Sequence, residues 1–118
     1  MTQGFDGNLQ VLRADAFQEM YRQAASLNIA DPLARLLRRL VLGSAVETPV
    51  TQASIEIPGN LKEFANLKQD VLLVGQGDYF EIWDPDLWGR QESQLRAVDV
   101  NSGRFAALKL ATRPRPTA

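Results

Sequence analysis

Residues 55–88 read IEIPGNLKEFANLKQDVLLVGQGDYFEIWDPDLW, and the punctuation of this stretch decides the fold. Ile55-Glu56-Ile57 alternates apolar and polar as a half-buried strand does, and Pro58 ends it because proline has no N–H to give a ladder. Leu61, Phe64, Ala65 and Leu67 then recur at roughly helical spacing, which predicts about two turns of amphipathic helix. Val71 to Val74 is a continuous apolar run, Gly75-Gln76-Gly77-Asp78 is a turn cluster, and Tyr79 to Trp83 resumes as a strand. Asp84-Pro85 has the form of a helix start. Strand, short helix, strand, tight turn, strand and helix in that order make a small α+β unit.

Outward from this unit, composition narrows the chemistry. The 118 residues suffice for one domain, or for two very small ones sharing a core. With 45% hydrophobic and 23% charged residues the chain has the make-up of a globular protein rather than a disordered one. No apolar run approaches the length of about 20 residues that crosses a bilayer. MTQGFDGNLQ, the first stretch, has neither a basic n-region nor an apolar h-region, so the expected location is the cytoplasm, with no membrane partner. Cysteine and histidine are both absent, which excludes a disulfide framework, a Cys/His zinc site, a thiol nucleophile and a histidine base. No cofactor is expected. The net charge of −1 gives no global attraction for nucleic acid, so any basic surface has to be local.

In the first part of the chain, GFDGNLQVL reads as a glycine-bearing turn into a strand at Leu9 to Leu12. Asp15 is the expected N-cap of a helix over Ala16 to Leu27, with Phe17, Met20, Tyr21 and Ala24 on one face. Asp31 and Pro32 start a second helix, expected to end at Leu42 before Gly43 and to pack its leucine face on the core. Arg35, Arg38 and Arg39 occupy its other side. Ser44 to Val50 is a weak strand candidate. Beyond Trp88 the helix begun at Pro85 is expected to reach Leu95 or Val98, with Asn101-Ser102-Gly103 breaking the pattern. A further helical turn follows from Arg104, and TRPRPTA is read as a frayed tail.

The two halves also resemble each other. Gly4, Leu9, Val11, Leu12, Asp15 and Phe17 align at one fixed offset with Gly75, Phe80, Ile82, Trp83, Asp86 and Trp88. Both copies read turn, strand, acidic helix start and bulky aromatic, the pattern of a supersecondary unit repeated around a pseudo-twofold axis. The second copy has a strand pair and short helix ahead of Gly75, and the first has almost nothing ahead of Gly4. The chain is therefore expected to begin halfway through its first repeat, by truncation, by a misplaced start or by true loss, leaving a strand edge open for another chain.

DPLARLLRRLVLGSAVE (31–47), IPGNLKEFANL (57–67) and VLLVGQGDYFEIWDPDLW (71–88) together resemble the MraZ family of bacterial transcriptional regulators. TQGFDGNLQVL and RFAALKLATR add weaker likeness. The resemblance implies an AbrB/MraZ-like swapped-hairpin β-core in an α+β fold. Its expected divisions are a first-repeat remnant over 1–30, a connecting helix over 31–43, a second repeat over 44–91, and a C-terminal helix and tail over 92–118. It also implies double-stranded DNA as partner, upstream of division and cell-wall genes, and assembly with copies of itself at the nucleoid. The family's DNA-contacting motif has the form D-x-x-G-R-x-x-x-P. Here Val50 stands in place of its aspartate, Ala53 in place of its glycine and Ser54 in place of its arginine, ahead of Pro58. The first-repeat copy of the motif is absent. Serine offers one hydroxyl where arginine offers a charged fork, a loss of about 1–3 kcal/mol per base contact.

The residues nearest that motif that could meet DNA are Ser54, Lys62 and Lys68. Lysines on a short helix are more often simply solvated. The Arg35, Arg38, Arg39 cluster could meet phosphates, but arginine stems covering apolar surface are the plainer reading. Asp70, Asp78, Asp84 and Asp86 could pair for metal or acid/base work; turn and helix-start roles explain them better, and no catalytic residue is assigned. Gly75-x-Gly77 lacks the following helix of a phosphate loop. Trp83 and Trp88 are expected to anchor the shared core rather than a partner. The sequence thus points to a DNA-binding regulator acting as a homo-oligomer, or to a degenerate relative kept as a structural module without DNA binding.

Overall fold

A computed structural model of the chain describes residues 1–108. The expected tail at 112–118 and the end of the RFAALKLATR stretch lie outside them. The fold is α+β with a swapped-hairpin β-core. Its centre is a four-stranded antiparallel sheet of β1 (Thr2–Gln3), β2 (Leu9–Leu12), β5 (Leu72–Gly75) and β6 (Tyr79–Trp83), in the order β1-β2-β6-β5. A separate two-stranded ribbon joins β3 (Val50–Thr51) to β4 (Ser54–Ile55). The helices are α1 (Ala14–Ala25), α2 (Pro32–Val41), α3 (Gly59–Phe64), α4 (Pro85–Leu95) and α5 (Val98–Ala106). Among the described residues no helix is long and apolar enough to cross a membrane.

Two hairpins built on different turns meet at the middle of the sheet. In the first, Gly4 N donates to Asn8 O at 2.8 Å and the loop is Phe5-Asp6-Gly7, with Gly7 at φ +75°. In the second, Gln76 N donates to Tyr79 O at 2.8 Å and the loop is Gly77-Asp78, with Gly77 at φ +89°. Glycine takes the left-handed position in both because a Cβ would crowd the backbone there. The first loop is one residue longer, which shifts the pairing of β1 by one position relative to β5. The central pair β2–β6 has the register Leu9↔Ile82, Gln10↔Glu81 and Val11↔Phe80. Leu9 aligns with Phe80 and Val11 with Ile82 in the sequence repeat, so the two aligned pairs meet crosswise. A local twofold therefore passes between Gln10 and Glu81.

Residues opposite one another in register share a sheet face. Leu9, Val11, Phe80 and Ile82 lie on one, where α3 covers them with Leu61 and Ala65; Met1 and Leu67 complete the buried cluster. Ile55 and Ile57 pack on its rim. The opposite face carries Thr2, Gln10, Glu81 and Trp83, all buried. Glu81 Oε1 accepts from Trp83 Nε1 at 3.0 Å and from Gln76 Nε2 at 3.1 Å. The Thr2 hydroxyl donates to the carbonyl of Val41 at the end of α2 and lies 3.0 Å from Ser44 Oγ. Trp88 on α4 meets Trp83 edge-on at 5.3 Å between ring centres, an anchoring role for both rings.

Helix starts follow the caps where the cap is used. Asp31 accepts from Leu33 N at 2.8 Å with Pro32 following, and Asp84 accepts from Leu87 N at 3.2 Å with Pro85 following. Asp15 does not cap. Helix α1 starts two residues before the expected Ala16, with Arg13 at the cap position, and the Asp15 carboxylate bonds Ala16 N and Arg13 instead. On the exposed side of α1, hydrogen bonds from Arg22 and then Gln23 hold the Glu19 carboxyl down at about 2.

Three other expectations fail for local reasons. Residues 45–49 are irregular, with Val46 tied to Met1 through N–H and carbonyl at 2.8 and 3.0 Å rather than through a strand. Asn101-Ser102-Gly103 does not break the helix but lies inside α5. Asn101 is buried and its side-chain amide donates to Gln94 O on α4, while Ser102 Oγ donates back to Val98 O. The leucine face of α2 is split: Ala34 and Val41 are buried, yet Leu33 and Leu36 stand 69% and 61% exposed because α1 and β1 cover only part of the helix.

Candidate functional site

Residues 50–55, ahead of Pro58, form a hairpin of their own. Val50 pairs with Ile55 and Thr51 with Ser54, leaving Gln52-Ala53 as the connecting loop. Both loop residues are left-handed, at φ +51° and +58°, the signature of a type I′ turn, in which asparagine and glycine are the favoured pair. An alanine held there costs roughly 1–2 kcal/mol in steric strain. Ala53→Gly is therefore expected to stabilise the chain by roughly 0.5–1 kcal/mol, after the larger unfolded-state entropy of glycine is subtracted. Urea unfolding of the two chains measures it, and an equal or lower midpoint for the glycine variant would refute strain at this turn.

Sequence reasoning placed a strand at Ile55-Glu56-Ile57 and did not see this turn. The signal lay in spacing: two β-branched residues, a gap of two, then Ser-Ile. Without Asn-Gly or Asp-Gly in the gap, the hairpin signature is hidden.

Ser54 is exposed just past the turn, so its hydroxyl is free to face a partner. It lines a shallow groove with Val46, Glu47, Thr48, Pro49, Thr51, Glu56, Ile57 and Pro58. Two carboxylates and three hydroxyls give that groove an acidic side, mixed with the apolar Val46, Pro49, Ile57 and Pro58. Lys62 is exposed on α3, and Lys68 is exposed beyond it in a different depression, beside Gln69, Asp70, Asp84, Pro85 and Asp86. The structure thus puts Ser54 and Lys68 in separate depressions. A residue at 54 is nonetheless well held, because Ile55 and Ile57, immediately after it, seat against the core and fix the hairpin's exit.

Three of the other charged candidates, Arg35, Asp84 and Asp86, have structural employment. Arg35 Nη1 donates to Ile29 O at 2.8 Å and to Ala30 O at 3.2 Å, closing the turn ahead of α2. Asp84 is a buried helix cap, and Asp86 lies in the first turn of α4, where the helix dipole favours a carboxylate. Among the described residues no group of three or more Asp and Glu side chains is placed to hold a metal ion.

The hairpin pair crossed about a local twofold, with a lead-in ribbon and a short covering helix, can be set against known proteins. A family model described as "MraZ protein, putative antitoxin-like" matches residues 51–108. The Transcriptional regulator MraZ of Thermomicrobium roseum is 34% identical over 113 residues, covering 95% of this chain and 77% of that protein. The chain belongs to the MraZ family. The Transcriptional regulator MraZ of Methylococcus capsulatus is 37% identical over 115 residues, covering 92% of this chain and 76% of its own length. That of Roseiflexus sp. is 36% identical over 107 residues, at 90% and 73% coverage. These MraZ relatives are named as transcriptional regulators, not as enzymes. The family match includes the Gln52-Ala53 turn and Ser54 of this hairpin.

Proposed function

We propose that this chain is a DNA-binding transcriptional regulator that works as a homo-oligomer in the cytoplasm, at the nucleoid, on elements upstream of division and cell-wall genes. It carries out no catalysis of its own. The observation that carries this reading is the β3–β4 hairpin, which keeps the type I′ turn and presents position 54 to solvent. The relatives named as transcriptional regulators supply the class of partner. Ser54 faces the duplex in this reading, and phosphate contacts come from Lys62 on α3 and Lys68 in the loop after it. The divisions at 1–30, 31–43, 44–91 and 92–118 belong to the same proposal.

One observation favours a second reading, in which the chain is an oligomerisation module that has given up DNA. Glu47 and Glu56 line the groove beside Ser54, and carboxylates there repel a phosphate backbone. Fluorescence anisotropy with duplex DNA over a range of salt separates the two. A regulator making Z phosphate contacts shows log K falling against log salt with a slope of about −0.9Z. Binding absent at low salt, or a slope of zero, would leave the module reading in its place.

A further inference from the structure

We propose that residues 109–118 of this chain seat in the groove beside the β3–β4 hairpin and compete there with duplex DNA for Ser54. The competition rests on the DNA-binding reading above; the seating does not.

The groove carries charge that its own walls do not answer. Glu47 and Glu56 line it, and both are exposed. Ion pairs among the described residues join Arg13 to Asp15, Arg22 to Glu19 and Arg96 to Glu92, so neither groove carboxylate has a cationic partner there. Pro49, Ile57 and Pro58 form an apolar wall beside the two carboxylates. The volume is about 590 Å³, within the range of roughly 300–1,000 Å³ that ligand clefts occupy. A surface of this make-up repels a phosphate backbone and favours a basic segment with apolar residues between its charges.

Residues 109–118, KLATRPRPTA, have that composition. They carry Lys109, Arg113 and Arg115, and no Asp or Glu follows Asp99. Pro114 and Pro116 alternate with the arginines, so the segment offers rings to the apolar wall and guanidinium forks to the carboxylates. Each arginine precedes a proline, a position biased toward extended backbone, which lowers the entropy cost of seating it. Ten residues span about 33 Å when extended, and the molecule measures 37 Å across its two shorter dimensions. The match to the family model ends at residue 108, so this segment lies beyond what that model describes. Seated, it puts its arginines over the groove that Ser54 lines, and duplex DNA reaches the hairpin only by displacing it. Affinity for DNA is then set by the open fraction as well as by the hairpin's own contacts.

The chain has no cysteine, so one engineered pair reports the seating. Thr51→Cys with Thr117→Cys is oxidised in the full chain, and gel mobility without reductant, with mass spectrometry of the digest, shows which residues are joined. The expected product is a disulfide within one chain. Adding Arg113→Glu and Arg115→Glu lowers its yield about fivefold, as loss of two exposed ion pairs does, and adding Glu47→Arg and Glu56→Arg to that chain restores it. No link, a link indifferent to charge reversal, or a link formed only between chains overturns the seating. Fluorescence anisotropy with duplex DNA then reads the competition in chains without the cysteines. Arg113→Glu with Arg115→Glu is expected to raise affinity about threefold to tenfold by freeing the hairpin, although general phosphate attraction predicts a fall when positive charge is removed. A fall would mean that the arginines meet DNA themselves, and it overturns the competition. If neither chain binds DNA, the regulator reading fails and the competition with it, while the cross-link still decides the seating.

Discussion

Leu61→Ala should lower the stability of the chain by about 2–5 kcal/mol, the range for truncating a fully buried leucine. Leu61 has no exposed surface and sits against Leu9 and Ile82 at the centre of a small cluster. Helix α3 spans only Gly59–Phe64, too short to persist through its own hydrogen bonds, so contact with the sheet is what keeps it helical. Removing the side chain both opens a cavity and loosens the helix that closes it. Loss should therefore spread to Ile55 and Ile57, which pack beside α3, and through them to the β3–β4 hairpin. Urea unfolding measures the global cost, and amide hydrogen exchange at residues 59–65 measures the local one. Phe64→Ala is the control, since that ring is more than one-third exposed, and its cost should be clearly smaller. A change below about 0.5 kcal/mol for Leu61→Ala, the scale of an ordinary surface substitution, would mean that α3 does not close the core.

The double substitution Ala53→Gly with Ser54→Arg should strengthen binding to duplex DNA by about 1–3 kcal/mol per subunit contact, roughly fivefold to 150-fold. The glycine suits the left-handed turn, and the arginine places a planar, permanently charged fork where Ser54 now offers one hydroxyl. The salt dependence should steepen by about 0.9 for each further phosphate that the arginine neutralises. Glu47 and Glu56 border the same groove, so affinity should rise further when both are changed to glutamine. Ser54→Lys with the same glycine separates charge from geometry, because lysine brings the charge without the fork. Unchanged affinity in the arginine variant at low salt would show that this hairpin is not the surface that meets DNA.

What could be read in the sequence was what local chemistry states outright. Strands Leu9–Leu12 and Tyr79–Trp83 were legible from their apolar patterns and the glycine turns that precede them. Helices α2 and α4 were legible because aspartate and proline mark their starts, and both caps form as hydrogen bonds. The failures come from tertiary context. Asn101 looked like a helix breaker, yet its amide finds Gln94 O across a helix–helix contact that no local window contains. Asp15 looked like a cap, yet the chain enters α1 earlier, at Arg13. Leu33 and Leu36 looked like core because they continue the stripe of Val41, and only the extent of α1 and β1 decides where burial stops.

The candidate site was legible as far as its registration against Pro58. Ser54 was singled out by comparison with a motif, not by its own chemistry. What the sequence concealed was the turn beside it, because Gln-Ala is an uncommon pair for two left-handed positions. Lys62 and Lys68 were grouped by nearness in the chain, while only Lys68 lines the depression with Asp70, Asp84 and Asp86.

The crossed pairing of β2 with β6 also sets a schedule for folding. Leu9 through Leu12 can pair with β1 as soon as the first hairpin emerges from the ribosome, but their other edge has to wait for Tyr79 through Ile82. At ~5–20 residues per second the interval lasts roughly 4–15 s. Throughout that time the nascent chain holds an apolar strand with one side unpaired. Such long-range closure is slow compared with hairpin formation, so the last step in assembling the sheet is set by chain order rather than by strand stability.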